Sequence, residues 1–224
     1  MTRKFGPLLQ ALALSAATAL PLAAGADVID FESGDLTGLY FSGDTFSQGD
    51  YTMTALNGFG TIDTGLGLGS QAPAGNATQF YFNGNDSSLL LARTDGAAFD
   101  LLSFSAAFVP LSPASTQTTV LFALGTRADN SQVSGYWFFG QTPGGQYAFS
   151  DNTGAAFSGV TKIEFHACSL VGGQVCTEAT MNNGQFAIDN INVSAVPEAT
   201  TSAMLALGLM GLSGLARRNR RSQR

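Results

Sequence analysis

The sequence predicts an all-β fold for the central part of this chain. Along residues 27–196, short alternating or apolar runs are separated by Gly, Asn, Asp, Ser and Pro, which is the pattern of half-buried strands joined by turns. Helical periodicity is absent from the same region. The runs correspond to about ten strands, a number that suits a jelly-roll-like antiparallel β-sandwich.

The N-terminal residues predict a segment that is removed rather than folded. Arg3 and Lys4 precede an apolar stretch over residues 8–24, and Ala24 and Ala26 flank Gly25 just before Asp27. A basic start, an apolar middle and a small-x-small end are the parts of a secretory signal peptide. A buried N-terminal helix would not require that order. We therefore assign residues 1–26 to a signal peptide and expect the mature chain to begin at Asp27.

The central region, residues 27–195, has the length of one domain with its own core. Residues 27–196 contain three basic and fifteen acidic side chains, a net charge of −12, and seven of the ten basic residues of the chain lie outside them. Such a surface repels phosphate, so nucleic-acid binding is excluded as a function class.

The strands follow in order along this domain. We predict them at 28–31, 51–56, 78–82, 89–92, 102–108, 120–124, 136–139, 146–149, 161–166 and 186–193. In the fifth, Leu102 shares the apolar parity of residues 104, 106 and 108. In the last, the apolar parity changes, which predicts a bulge at Asp189 and Asn190. We expect the first and last strands to be neighbours, and the glycine-rich stretches 58–75 and 140–145 to be loops.

The C-terminal residues form a second targeting pattern. A proline ends the domain, an apolar run covers residues 203–216, and an arginine cluster covers 217–221. The run spans about 21 Å as a helix, and including residues 199–202 gives 18 residues, the lower range for a membrane span. An amphipathic helix packed on the domain is the alternative, but no polar stripe is visible. We predict a single transmembrane helix with its arginine end in the cytoplasm.

This tail resembles the PEP-CTERM sorting tail of Gram-negative bacteria that make exopolysaccharide. The residues that carry the resemblance are Val196, Pro197, Glu198, Arg217, Arg218, Arg220 and Arg221, with Ala199 where a second proline is usual. The same tail is also labelled an ice-binding-protein C-terminal domain, which by itself implies no ice binding. The resemblance implies an exosortase-type membrane transpeptidase as partner, anchoring in the inner membrane during transit, and release to the cell surface or the extracellular space.

Cys168 and Cys176 are the only cysteines, and a Gly-Gly pair lies midway between them. In an exported domain this arrangement predicts a disulfide that closes a hairpin. Two free thiols are the alternative, and the spacing does not match a redox or zinc motif.

Two further groups of residues are candidate sites. Tyr136 and Trp137 lie in the densest aromatic run, which offers a stacking platform for carbohydrate or, alternatively, ordinary core packing. Loop aromatics such as Phe59 and Phe80 are further candidates for sugar contacts. Three acidic residues on the first and last strands, Asp30, Glu32 and Asp189, offer hard oxygen ligands for a structural Ca²⁺, by analogy with carbohydrate-binding jelly rolls.

No catalytic constellation is apparent in the sequence. His166 is the single histidine, no Gly-x-Ser-x-Gly elbow occurs, and no cofactor loop or metal-ligand cluster is visible. We therefore expect a non-catalytic cell-surface or matrix protein that needs no cofactor. A carbohydrate-binding module that recognises exopolysaccharide or an environmental glycan is the alternative.

Overall fold

A computed structural model describes residues 25–109, 119–142, 146–171, 174–178, 184–196 and Gly208. Gly25–Val196 forms one compact unit, and of a second unit, residues 1–24 with 197–224, only Gly208 is described. Apart from Gly25, Ala26 and Gly208, the residues of the signal peptide, the apolar run 203–216 and the arginine cluster therefore lie outside the described residues. Within the described residues, no helix has the length and apolar character needed to cross a membrane.

The compact unit is built almost wholly from strands, so the all-β prediction is confirmed. In chain order the strands are β1 Ala26–Ile29, β2 Gly38–Phe41, β3 Thr45–Gln48, β4 Tyr51–Leu56, β5 Phe59–Asp63, β6 Phe80–Gly84, β7 Ser88–Arg93, β8 Phe99–Phe108, β9 Thr119–Arg127, β10 Gln132–Phe138, β11 Gly140–Gln141, β12 Tyr147–Ala148, β13 Ser150–Thr153, β14 Val160–Val171, β15 Gln174–Glu178 and β16 Phe186–Ala195. Two short 3₁₀ helices lie in the connections between strands, Gly34–Leu36 between β1 and β2 and Leu66–Gln71 between β5 and β6.

The larger sheet is antiparallel and nearly closed like a barrel. One layer has the order β2-β5-β6-β16-β8-β13, with β1 beside β16, and the other has the order β3-β4-β7-β14-β9-β10. A single residue pair, Phe99 with Val160, joins the two layers. The layers therefore face each other as a β-sandwich, with β2, β3, β10 and β13 at their edges.

Aromatic side chains fill the space between the layers. Tyr51 contacts Phe99 with 5.5 Å between ring centroids, and Phe104 contacts Phe165 at 5.6 Å. In each pair the two rings come from opposite layers. Large apolar area is thereby removed from water along the whole interior, which is the main source of stability in such a fold.

The predictions for the ends of the domain are confirmed. β1 pairs with β16 in antiparallel register, with Ile29 opposite Ile191. The β16 register against β8 shifts between Asp189 and Asn192, and Asn190 has φ of +50°. The bulge keeps Ile188 and Ile191 both in the core, as the change of parity in the sequence predicted.

The prediction for Leu102 is wrong. Between Ser103 and Leu101 of β8, the register against β16 shifts once more, and Leu102 is the unpaired residue. Its side chain is 42% exposed, whereas Leu101 and Phe104 are buried. A second irregularity thus changes the strand's parity, which an alternating pattern alone does not reveal.

The stretch 58–75 is only partly a loop, because residues 59–63 form β5. β5 lies between β2 and β6 in the sheet. β2, β3, β11, β13 and β15 also have no counterpart among the predicted strands. β11 lies within the stretch 140–145, so the prediction that this stretch is a loop is wrong at residues 140–141. Strands of two to five residues leave little periodic signal, so the sequence underestimates their number.

Candidate functional site

The exposed face of the second layer carries a row of aromatic side chains. Strand pairing aligns His166 of β14, Phe122 of β9 and Tyr136 of β10 side by side. The ring centroids of Phe122 and His166 are 4.9 Å apart. Tyr136 is 52% exposed and Phe138, two residues on, is 58% exposed. This aromatic row offers apolar ring surface to solvent at the edge of the sandwich.

Trp137 points to the opposite side of β10, towards the core. Its ring meets Phe104 edge-on at 4.9 Å and stacks with Phe157 at 5.9 Å. Its indole Nε1 donates a hydrogen bond to the carbonyl oxygen of Thr153 at 3.2 Å. The structure thus separates the two sequence candidates, since Tyr136 is presented to solvent and Trp137 supports the fold.

Asp30 and Glu32 follow the end of β1, and Asp189 lies at the bulge of β16, the strand that pairs with β1. Asp189 accepts hydrogen bonds from the Asn76 side chain at 2.6 Å and from the backbone and side chain of Asn190. Asp30 accepts one from the Gln48 amide at 2.6 Å. Glu32 accepts one from the backbone of Gln79 at 2.8 Å. We call Asp30, Glu32 and Asp189 the acidic cluster.

Asp189 is the buried member of this cluster, with 1% of its surface exposed. Burial, with a smaller contribution from the charges of Glu32 and Asp30, raises the pKa of Asp189 to about 6, although its hydrogen bonds oppose the shift. Phe31, between the other two acids, is buried at a φ of +57°, a strained conformation for a bulky residue. The site therefore stores both electrostatic and backbone strain.

No metal-binding group of three or more His, Cys, Asp or Glu side chains occurs in the described part of the chain. The acidic cluster has the oxygen ligands that Ca²⁺ prefers, but too few for its six to eight positions. The calcium site therefore remains a prediction from the sequence.

A cavity of about 350 Å³ opens on the outer face of the first layer, over β2, β5 and β6. Its lining includes Leu39, Phe59, Leu68, Phe80, Phe82 and Asp63. Phe59 belongs to β5 and Phe80 to β6, so the expectation that they are loop aromatics is wrong, whereas the predicted strand 78–82 does include Phe80. Volume and lining fall in the range of small-ligand sites, which are mostly apolar with few polar groups.

A glycine-rich strap, residues 64–71, borders this cavity. Gly65 has φ of +79°, and a Cβ built there would lie 2.9 Å from Cζ of Phe80, so the approach requires glycine. A Cβ built at Gly67 would lie 3.4 Å from Oδ2 of Asp63. Sequence reasoning missed this cavity because it treated 58–75 as a loop, although Phe59, Thr61 and Asp63 alternate with Gly60 and Ile62.

Cys168 is buried in β14, and β15 pairs beside it, with Cys168 opposite Glu178. The described residues include no free cysteine. The side chain of Cys176 lies outside the described residues, so its pairing with Cys168 remains a prediction.

A family model described as the PEP-CTERM protein-sorting motif matches residues 195–221. The chain thus carries this motif, and the resemblance of its tail is confirmed. The motif implies export, anchoring in the membrane during transit and processing by an exosortase-type enzyme. No curated protein matches the chain.

Among solved structures, the domain is similar to a DUF4465 family protein from Bacteroides caccae, with 10% identity over 77% of this chain and 100% of that one and a TM-score of 0.52. This likeness shows the fold alone. The K1 adhesin domain of Lys-gingipain from Porphyromonas gingivalis is 8% identical over 77% of this chain and 99% of that one, with a TM-score of 0.45. The C-terminal family 22 carbohydrate binding module of Clostridium thermocellum Xyn10B is 14% identical over 78% of this chain and 97% of that one, with a TM-score of 0.38. At these scores the last two likenesses carry no argument.

Proposed function

We propose that this protein is a non-catalytic component of the cell surface or extracellular matrix, delivered by its C-terminal sorting motif. The observation that carries the proposal is the PEP-CTERM motif at residues 195–221. We divide the chain into a signal peptide, residues 1–26, a jelly-roll-like domain, 27–195, and a sorting tail, 196–224. In this division the strand-rich domain is the cargo, and the tail holds it in the inner membrane until an exosortase-type transpeptidase acts.

The intact mass of the protein recovered from cell envelope and medium tests this proposal. We expect a mass that begins at Asp27 and lacks the apolar tail, and a gain of two protons on reduction if Cys168 and Cys176 are bonded. Deletion of the exosortase gene in the producing strain is the control and should leave the tail attached. A released protein that still extends to Arg224 would contradict sorting-dependent release.

Carbohydrate binding by the aromatic row is a second candidate function. The observation that favours it is the exposure of Tyr136 and Phe138 on a sheet face, because aromatic rings provide flat apolar area for the apolar side of a sugar. The acidic surface disfavours polyanionic glycans, so neutral or cationic polymers are the expected partners, including the producer's own exopolysaccharide.

A glycan array tests the second candidate, with Tyr136→Ala and Phe138→Ala as the informative variants. We expect both to weaken binding while the thermal midpoint stays near that of the wild type, since both side chains are exposed. Leu102→Ala is a matched control, because it removes another exposed apolar side chain from a different strand. Absence of binding to any glycan, including the producer's polymer, would reject this function and leave the first proposal standing.

A further inference from the structure

The cavity over β2, β5 and β6 combines three phenylalanine rings with one carboxylate. Phe80 and Phe82 are buried, and Phe59 is half-buried beside them. Phe59 and Phe82 meet edge-on, with 6.3 Å between centroids. The rings form an apolar wall, and Asp63 lies directly across the sheet from Phe80. An occupant must therefore present an apolar surface to the rings and a hydrogen-bond donor to the carboxylate.

The Asp63 carboxylate has an oxygen available for such a donor. Its Oδ1 accepts hydrogen bonds from the backbone N–H of Thr64 at 2.6 Å and from the Thr64 hydroxyl at 3.3 Å. Its Oδ2 lies on the side of Gly67, and no donor among the described residues reaches it. A carboxylate oxygen beside apolar rings is a strong acceptor for a charged donor.

The part of the chain that the structure describes places no cation at this cavity. None of the described residues that line the cavity is basic. Arg93 is bonded to Asp95, Arg127 donates to the carbonyl of Ser158, and Lys162 lies in β14 of the other layer. With a net charge of −12 over residues 27–196, the charge that complements this cavity is positive, and aromatic faces also attract cations.

The cavity continues into an exposed apolar strip at the edge of the layer. Phe41 of β2 lies directly opposite Phe59, and Leu39 lies opposite Thr61. Leu39 and Phe41 are exposed on this edge strand. A polymer can therefore lie along the strip while one of its units enters the cavity.

We infer that this cavity binds a glycan unit that carries a free amino group, a 2-amino-2-deoxy sugar in a polymer. The apolar face of the sugar ring packs on the wall formed by Phe80 and Phe82 beside Asp63, and its ammonium group donates to Oδ2 of Asp63. Phe59, four residues along β5 and about 13 Å away, contacts the neighbouring unit of the polymer. The inference rests on the proposed carbohydrate binding and adds the chemistry of the glycan. It also assigns a site on the opposite layer from the aromatic row.

Calorimetric titration of the full chain with a β-linked glucosamine trimer tests the inference, with the N-acetylated trimer and a neutral glucose trimer as comparisons. At about pH 5.5, well below the pKa of about 7.7 that is ordinary for an amine with electron-withdrawing neighbours, the amino groups are protonated, and we expect the amino trimer to bind about tenfold more tightly than either comparison. Asp63→Asn should remove this preference without weakening the neutral trimer. Asp35→Asn, which removes an exposed charge outside the cavity lining, should leave it unchanged.

Gly67→Leu provides a test that does not depend on charge. Gly67 has an ordinary backbone φ, so a side chain there fills the cavity without straining the chain, and it should abolish binding of the amino trimer. Equal weakening by Asp63→Asn and Asp35→Asn would show general charge attraction and overturn the inference. Equally tight binding of cyclohexylamine would show that the site takes a simple amine rather than a sugar, which also overturns it.

Failure of the inference and failure of the function give different results. If the trimers bind, and binding is lost in Tyr136→Ala but kept in Asp63→Asn and Gly67→Leu, carbohydrate binding stands and the cavity is not its amino-sugar site. If no trimer and no array glycan binds the wild type, both fail together.

Discussion

Lowering the pH should stabilise the folded protein through Asp189. Its folded-state pKa of about 6 lies above the ordinary value of 3.8, so the folded state holds this proton more strongly than the unfolded chain does. The group's stabilising contribution is therefore complete below the ordinary pKa and is lost as the pH rises through about 6. The window of change is the interval between these two values.

The size of the effect follows from the shift. A difference of about two pKa units corresponds to about 3 kcal/mol at roughly 1.4 kcal/mol per unit. Because about pH 4.5 still lies above the ordinary pKa, only about two-thirds of this appears between about pH 7.5 and about pH 4.5. Solvent near the exposed neighbour Glu32 screens a further part, so about 1 to 2 kcal/mol is the expected change in unfolding free energy. Asp189 itself is 1% exposed, so most of the desolvation cost is retained.

Urea denaturation of wild type and Asp189→Asn between about pH 7.5 and about pH 4.5 measures this effect. The asparagine keeps an acceptor for Asn76 but cannot ionise, and any constant cost of the substitution cancels in the slope. We expect the stability of the wild type, relative to the variant, to rise by about 1 to 2 kcal/mol as the pH falls. Parallel pH profiles for the two proteins would refute the reasoning.

Three other outcomes are expected. If the acidic cluster binds Ca²⁺, millimolar Ca²⁺ should raise the thermal midpoint of the wild type at neutral pH and leave that of Asp189→Asn unchanged. Equal shifts in the two proteins would reject the calcium site. Trp137→Ala should lower the unfolding free energy, measured in urea, by about 2 to 4 kcal/mol, because it leaves a cavity in the core. Tyr136→Ala should lower it by under about 1 kcal/mol, because that side chain is exposed. Similar losses for the two variants would contradict the placement of these side chains. Gly60→Ala should destabilise by about 1 to 3 kcal/mol because its Cβ would lie 2.0 Å from the Tyr81 hydroxyl, whereas Gly38→Ala, with open space around it, should change the denaturation midpoint little.

The sequence predicted most of the strands that lie in the middle of each layer. β4 matches its predicted limits, and β7, β9 and β14 overlap theirs, because each places alternate side chains in the core. The bulge at Asp189 was also predicted from the sequence, because a change of apolar parity within a strand requires an extra residue. The strands β2, β3, β5 and β13 were missed, because four or five residues carry too little alternation to be distinguished from a loop.

The candidate sites were predicted less well, because each depends on distances between segments far apart in the chain. Tyr136 and Trp137 are adjacent in sequence, and their different roles follow from which side of β10 faces the core. Asp63 was not predicted as a site residue, because a single aspartate at the end of an alternating run resembles many surface residues. Pairing of β5 with β6 places it beside Phe80 and at the cavity.

The amino-acid sequence alone reveals that this protein carries a sorting motif for export, and it also reveals the class of fold. A sorting signal is a continuous stretch of sequence that is recognised independently of the folded domain. Strand periodicity is likewise a local pattern, so both can be identified without the tertiary structure. The tertiary structure alone decided which surfaces are available for recognition. Burial, strand register and the approach of carboxylates to aromatic rings arise only when β1 meets β16 and β5 meets β6, because these contacts join residues distant along the chain.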